Sequence, residues 1–221
     1  KREYQILAHC RFDAVLLRRY LRYGLPNGLR MLIDIMAFTI FVMLVGRLDR
    51  NSLAATTLVF NINTLSFLPM IGLGTAIMTL VGRRVGEGRP ELAVRTTYLA
   101  FSISSVYMIG FAAAYLFLPN LLVAPYAAYS DPDQFQQIRE LVVVLLRFAA
   151  VFAFFDAMLI VFSSAVQGAG DTRFCLVFTF ITSLLVMILP TSLAMYFFPG
   201  NVVACWWACT AFIVVMGIGF L

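Results

Sequence analysis

Two aspartates, Asp34 and Asp156, lie in long apolar stretches of the sequence, where an ionised side chain is costly. A carboxylate at the centre of a bilayer costs about 2.5–3.5 kcal/mol on insertion scales. Such residues face protein or water rather than lipid, and they commonly mark the path of an ion or a proton. We therefore predict that Asp34 and Asp156 bind a proton or a metal cation such as Na⁺.

The residues around Asp34 form a polar face. On a helix with about 100° per residue, Asn27, Arg30 and Asp34 fall within about 60° of one another, and Phe38 continues the same stripe. We predict that this face lines a substrate cavity. The alternative is that Arg30 and Asp34, which are spaced i, i+4, simply neutralise each other.

A second stripe surrounds Asp156 and contains Phe152, Ser163 and Gln167, which we also predict to line the cavity. Arg147 lies nine residues before Asp156 and therefore on the opposite face of the helix. Asp156 has no cation on its own face, which favours a ligand role over a structural one.

Three further residues interrupt an apolar stretch that has no charge. Asn61 and Asn63 are candidates for the substrate cavity, although a hydrogen bond between helices is an equally good explanation for each. Pro69 removes a backbone donor and predicts a helix bend. The bend is interpreted either as static packing or as a gate.

The composition excludes an ordinary soluble domain. Among 221 residues, 62% are hydrophobic and 12% are charged, and the mean hydropathy is +0.92. Soluble proteins carry roughly 45–50% apolar and about 25% charged residues. The four cysteines and the single histidine, His9, show no spacing typical of zinc ligands. We predict a polytopic membrane protein that is not an enzyme.

The apolar stretches predict an all-α fold, a bundle of six transmembrane helices. Each is long enough for the roughly 20 residues that a spanning helix needs, and none alternates as a barrel strand does. The predicted spans run from about Leu25 to Val45, Leu53 to Val81, Leu92 to Leu118, Ile138 to Val166, Phe174 to Phe198 and Val202 to Leu221. Residues 24–221 then form the transmembrane lobe. Residues 1–23 form a cytoplasmic linker or an amphipathic helix on the membrane surface.

Basic residues predict the orientation. One side of the membrane holds Lys1, Arg2, Arg11, Arg18, Arg19, Arg22, Arg83, Arg84, Arg89, Arg95 and Arg173, and the other holds Arg47, Arg50 and Arg139. By the positive-inside rule, both ends of the chain are cytoplasmic. Trp206 and Trp207 are then expected near the outer interface. Because the chain begins in a basic stretch and ends in an apolar one, we expect a piece of a longer protein.

Several segments together resemble the MATE family of multidrug exporters. Gly24-Leu25-Pro26 opens a span that contains Asp34, as in the seventh helix of that family, and Phe67-Leu68-Pro69-Met70 follows in the next span. Phe155-Asp156-Ala157, followed by Gln167-Gly168-Ala169-Gly170-Asp171-Thr172, is similar to the tenth helix and its exit loop.

The resemblance implies a fold and a function. MATE proteins have twelve helices in two lobes, and this chain looks like the C-terminal lobe. The family exports organic cations and drugs in exchange for Na⁺ or H⁺, and Asp34 and Asp156 match the acids that hold the coupling cation. Phe152 stands where some members have a tyrosine, and Arg30 would compete with a cation for Asp34.

These observations lead to one expected function and two alternatives. We expect part of a secondary active antiporter in the bacterial inner membrane, with no cofactor beyond the coupling ion, Na⁺ or H⁺. Its partners would be membrane lipid, small organic cations and the missing N-terminal six-helix lobe, and not nucleic acid. The alternatives are a lipid-linked oligosaccharide flippase, which should carry more arginines within its spans than Arg30 and Arg147, and a membrane subunit that does not transport.

Overall fold

The structure, a computed structural model, describes residues 13–127 and 132–221. Within these residues the chain is helical and contains no strand. The helices are α1 (Ala14–Gly46), α2 (Arg50–Gly86), α3 (Pro90–Phe117), α4 (Pro119–Ala127), α5 (Pro132–Gly168), α6 (Thr172–Thr182), α7 (Leu189–Phe197) and α8 (Val202–Gly219). A π-helical turn, Ser183–Ile188, joins α6 and α7 into one continuous span.

Within the described residues, six helical segments are long and apolar enough to cross a membrane, and they confirm the predicted fold class. They are Ala14–Gly46, Arg50–Gly86, Pro90–Phe117, Phe135–Gly168, Thr172–Phe197 and Val202–Gly219. Each corresponds to one predicted span, usually with a few more residues at its ends. The chain is an integral membrane protein.

Polar side chains fix where several helices begin. Asp49 accepts a hydrogen bond from the backbone N–H of Ser52 at 2.7 Å, before α2. Asp171 accepts one from Phe174 at 3.1 Å, before α6. These contacts satisfy backbone donors that a helix leaves unpaired in its first turn.

The first helix is longer than the predicted span. It starts at Ala14 and continues through Pro26 to Gly46, so the expected border between residues 23 and 24 falls inside one helix. At 1.5 Å per residue, 33 residues extend about 50 Å, which exceeds the roughly 30 Å of bilayer hydrocarbon. The helix is thus long enough to span the hydrocarbon region with several turns to spare, and the predicted division at residue 24 stays a prediction. The predicted linker residues 1–12 lie outside the described residues.

Two glycine contacts hold α2 and α5 side by side. A Cβ atom at Gly168 would lie 2.5 Å from the carbonyl oxygen of Met78, and one at Gly74 would lie 2.8 Å from Oγ of Ser164. Both contacts join residues that are 90 positions apart, because the two helices run in the same direction. The same offset places Ser66 of α2 level with Asp156 of α5.

A second part of the core is aromatic and surrounds Trp206. This side chain is fully buried, stacks on Phe152 with ring centres 6.3 Å apart, and donates from Nε1 to Oγ1 of Thr56 at 3.1 Å. Phe41 and Phe60 complete the cluster. Trp206 is thus a core residue, whereas its neighbour Trp207 is 63% exposed. The predicted level of both residues near the outer interface stays a prediction.

The π-helical turn precedes Pro190. Proline has no backbone N–H and its ring crowds the carbonyl one turn earlier, so a proline inside a helix removes one backbone hydrogen bond. In the π turn the N–H of Leu189 donates to the carbonyl oxygen of Leu184, five residues back. The span then continues as α7 past Pro190 to Phe197.

Candidate functional site

Among the described side chains of α1, Arg30 makes the most polar contacts to other helices. Its Nε donates to Oγ1 of Thr179 on α6 at 3.3 Å, and its Nη2 donates to Oγ of Ser163 on α5 at 3.4 Å. Nη2 also lies 3.7 Å from Oδ2 of Asp34, one turn further along α1. The guanidinium carbon lies 5.7 Å from the ring centre of Phe220, just after α8. Arg30 therefore connects α1 to three other segments.

A cleft of about 230 Å³ lies beside this ion pair, between α1, α2 and α5. Its lining includes five residues predicted from the sequence, namely Asn27, Arg30, Asp34, Ser163 and Gln167. Gly74, Thr75 and Ser164 add small and polar groups to the opposite wall. The structure thus brings the polar stripe of α1 together with the C-terminal part of the polar stripe of α5, Ser163 and Gln167.

A larger cleft of about 630 Å³ follows toward the start of α1. It shares Asn27, Met78 and Gln167 with the first cleft, and Tyr20 and Tyr23 line its outer part. The two clefts form one groove along the seam between α1 and the α2–α5 pair. Its aromatic end suits an apolar body, and its polar end carries Asp34.

Asp156 occupies a different environment. It is 5% exposed and lines neither cleft. Its carboxylate has no hydrogen bond or ion pair with any residue that the structure describes, but it lies within electrostatic range of Tyr115 and Cys209. The sequence therefore identified Asp156 as a candidate, but only the structure shows that Asp156 lies apart from the groove.

A polar cluster lies near Asp156, at the level of Ser66. The hydroxyl groups of Ser66 and Tyr115 are 2.8 Å apart, and the Tyr115 hydroxyl donates to Oδ1 of Asn63 at 3.3 Å. Ser66 also donates to the carbonyl oxygen of Asn63 at 2.8 Å. Of the two explanations for Asn63, the hydrogen bond between helices is therefore realised, between α2 and α3. No pattern in the sequence singled out Ser66 or Tyr115.

The remaining predicted residues lie away from the groove. Phe152 is buried in the aromatic core against Trp206, and Phe38 packs edge-on against Phe60 and Phe212. Asn61 is exposed on the surface of the lobe. Pro69 is also exposed, and α2 continues through it without a break.

No metal centre with several acidic, histidine or cysteine ligands forms within residues 13–127 and 132–221. Cys175, Cys205 and Cys209 are buried free thiols. His9 and Cys10 lie outside the described residues. A cation at Asp34 or Asp156 would thus be held by one carboxylate, supported by hydroxyl, amide or carbonyl oxygens.

Comparison with known proteins gives relatives among bacterial resistance proteins. The MatE family model matches residues 26–193. A probable multidrug resistance protein NorM of Mesorhizobium japonicum is 31% identical over 153 residues, which cover 69% of this chain and 32% of the relative. The multidrug resistance protein PmpM of Pseudomonas aeruginosa is 30% identical over 156 residues, which cover 71% and 31%.

Solved structures show the same fold. An outward-facing multidrug resistance MATE family transporter of the MOP superfamily superimposes with a TM-score of 0.86 at 20% identity, over 96% of this chain and 47% of that one. An inward-facing form gives a TM-score of 0.78. The chain spans about half the length of these transporters and matches about a third of the curated relatives. The family match and the shared fold establish that this chain belongs to the MATE family, whose members are transporters and not enzymes.

Proposed function

We propose that this chain is the C-terminal lobe of an antiporter of the bacterial inner membrane that exports organic cations in exchange for Na⁺ or H⁺. The observation that carries the proposal is the buried carboxylate of Asp156, which has no counter-charge among the described residues. The resistance names of the relatives, NorM and PmpM, support export of small organic compounds. This chain covers about half the length of the solved transporter that it matches, which supports a companion six-helix lobe.

The coupling follows from electrostatics. A carboxylate in a medium of low dielectric constant is strongly stabilised by one cation, and a second cation gains much less there. The coupling ion at Asp156 and an organic cation beside Asp34 bind to different carboxylates, and they disfavour each other because two positive charges repel strongly in such a medium. The two lobes rock and expose the site first to one side of the membrane and then to the opposite side. The mutual exclusion of the two cations then exchanges the organic cation for the coupling ion.

The groove and the aromatic core have separate tasks in this proposal. Tyr20 and Tyr23 offer flat apolar surface to the body of a drug, while Asn27, Asp34 and Gln167 offer polar contacts to its charged end. The core around Trp206 is closely packed and keeps α5 and α8 in place. Substrate would thus contact the seam of the lobe and leave its interior unchanged.

Drug efflux by an Asp156→Asn variant tests the proposal. The variant keeps the size of the side chain and removes its charge. In membrane vesicles that contain this chain together with its companion lobe, ethidium efflux driven by a Na⁺ or pH gradient should fall at least about tenfold, within the range that loss of one buried charge contact produces. Expression and insertion should persist, since the change removes a costly charge from an apolar span.

Asp49→Asn is the matched control. It makes the same chemical change at the start of α2, and asparagine caps helices about as well as aspartate. Its efflux rate should equal that of the wild type. Gradient-driven efflux at the wild-type rate in Asp156→Asn would show that the coupling ion binds elsewhere.

A further inference from the structure

The position of Arg30 is fixed by contacts other than its ion pair. Its side chain is 14% exposed, and Thr179, Ser163 and the ring of Phe220 hold the guanidinium group from three directions. An arginine held in this way loses little further freedom when it meets a carboxylate. Arg30 would therefore stay in place whether or not Asp34 is engaged.

Asp34 is held much less firmly. Its side chain is 31% exposed to the cleft, and Arg30 is the only cation that contacts it among the described residues. The distance of 3.7 Å between Nη2 and Oδ2 is longer than the roughly 2.7–2.9 Å of a charge-assisted hydrogen bond. The two groups attract each other, but the carboxylate oxygens remain open toward the cleft.

We propose that Arg30 is a tethered cation, which occupies the place beside Asp34 that a mobile cation would otherwise take. The inference rests on the proposed function and names Arg30 as the residue that decides how many coupling ions the lobe requires. Because Arg30 balances the charge of Asp34, this side of the lobe needs no coupling ion, and ion exchange takes place at Asp156 alone. An organic cation enters the cleft by competing with Arg30 for Asp34, while Thr179 and Ser163 retain the guanidinium group.

The charge of the cleft should therefore control its affinity for cations. With Arg30 present, the pair in the cleft has no net charge. Removing the charge of Arg30 leaves one carboxylate facing the same volume, and a cation can then approach it without a competitor. Replacement by lysine keeps the charge, although the planar contacts to Thr179 and Ser163 are lost.

Binding of tetraphenylphosphonium, a monovalent apolar cation, tests this inference. The full chain is reconstituted in nanodiscs of zwitterionic lipid, and binding is measured by equilibrium dialysis at constant ionic strength. Arg30→Gln should lower the dissociation constant about tenfold, a modest change because Asp34 is partly exposed and screened. Arg30→Lys should stay within about threefold of the wild type.

Two variants isolate the cause. Arg147→Gln removes the same charge from α5, where Arg147 is exposed and has no ion pair or hydrogen bond among the described residues, and it should not change the affinity. The double change Arg30→Gln with Asp34→Asn should return the affinity to the wild-type value. The inference is overturned if Arg30→Gln binds the cation no better than Arg147→Gln, or if the double variant keeps the gain.

The result can be separated from the proposed function. Loss of gradient coupling is measured by ethidium efflux and depends on Asp156, whereas the affinity change is measured at equilibrium and depends on Arg30 and Asp34. Efflux that responds to neither Na⁺ nor pH would reject the antiport proposal. An unchanged affinity in Arg30→Gln would reject only the role of Arg30.

Discussion

The two intramembrane aspartates of this lobe lie in opposite kinds of environment. Asp34 is partly exposed in a groove, one turn from an arginine and close to a seam between helices. Asp156 is almost fully enclosed, next to a cluster of hydroxyl groups and without a cation among the described residues. Under the proposed function, two side chains of the same chemistry therefore have two tasks: Asp34 contacts a bulky ligand, and Asp156 binds a small ion.

The largest expected contrast is in accessibility. Asn27→Cys, in the groove, should react with a membrane-impermeant maleimide, while Ser66→Cys, beside the buried cluster, should react about 100-fold more slowly because its exposure requires local opening. Mass spectrometry of the labelled chain measures both rates. Equal rates would mean that the cluster near Asp156 is open to water, and the comparison would fail.

Neutralising each aspartate should separate the two tasks in transport. Asp156→Asn is expected to lower gradient-driven efflux at least about tenfold, whereas Asp34→Asn should lower it by only about two- to fivefold, since it leaves the ion at Asp156 in place and changes only the charge of a partly exposed cleft. Initial rates of ethidium efflux, measured at several Na⁺ or pH gradients, compare the two variants with the wild type. A total loss in Asp34→Asn would place the coupling ion between both aspartates.

Removing one hydroxyl group tests how closed the inner cluster is. Tyr115→Phe deletes the contacts to Ser66 and Asn63 and should lower the free energy of unfolding by about 1 kcal/mol. Gln167→Leu, in the open groove, should change it by less than about 0.5 kcal/mol. Thermal unfolding in detergent compares the two variants with the wild type, and an effect of Gln167→Leu as large as that of Tyr115→Phe would contradict the distinction.

Asp49 lies just before α2, outside the span, and serves as a reference carboxylate. Its substitution should have the smallest effect of this series, a change in how stability depends on pH. The backbone N–H of Ser52 that donates to Asp49 holds its pKa below the ordinary value of 3.8. Because the folded pKa is the lower one, this stabilisation is fully present above pH 3.8 and is lost as the pH falls through the folded pKa. Asp49→Asn should keep the cap and remove this pH dependence, which thermal unfolding between pH 3 and pH 6 measures.

Much of the fold follows from the sequence, because a long apolar stretch indicates a membrane span. Hydropathy does not give the helix ends, as the start of α1 at Ala14 shows. The stripe of Asn27, Arg30 and Asp34 could also be predicted, since residues on one helix face follow its period. Thr179 and Ser66 could not. A hydroxyl group in an apolar helix commonly bonds a carbonyl of its own helix, so nothing along the chain indicates which one will meet a residue of another helix.

The buried tryptophan shows the same limit. Trp206 and Trp207 are adjacent, and their general preference for the membrane interface is equal. Only the fold supplies Thr56 as an acceptor for the indole N–H of Trp206 and encloses its ring among phenylalanines. The predicted side of the membrane for the chain ends and for the two tryptophans remains a prediction. Cysteine labelling of Arg83→Cys and Arg47→Cys from each side of the membrane can test it.

The π-helical turn of Ser183–Ile188 bears on how this span tolerates insertions and deletions. A π turn accommodates one residue more than an α-helical turn. Deleting one residue between positions 183 and 188 should therefore let the turn become α-helical and leave the later residues, including Thr191, on the same face. Elsewhere in a packed span, the same deletion would rotate every following side chain by about 100°. This short segment is thus a place where the lobe can change in length without changing which residues face the core.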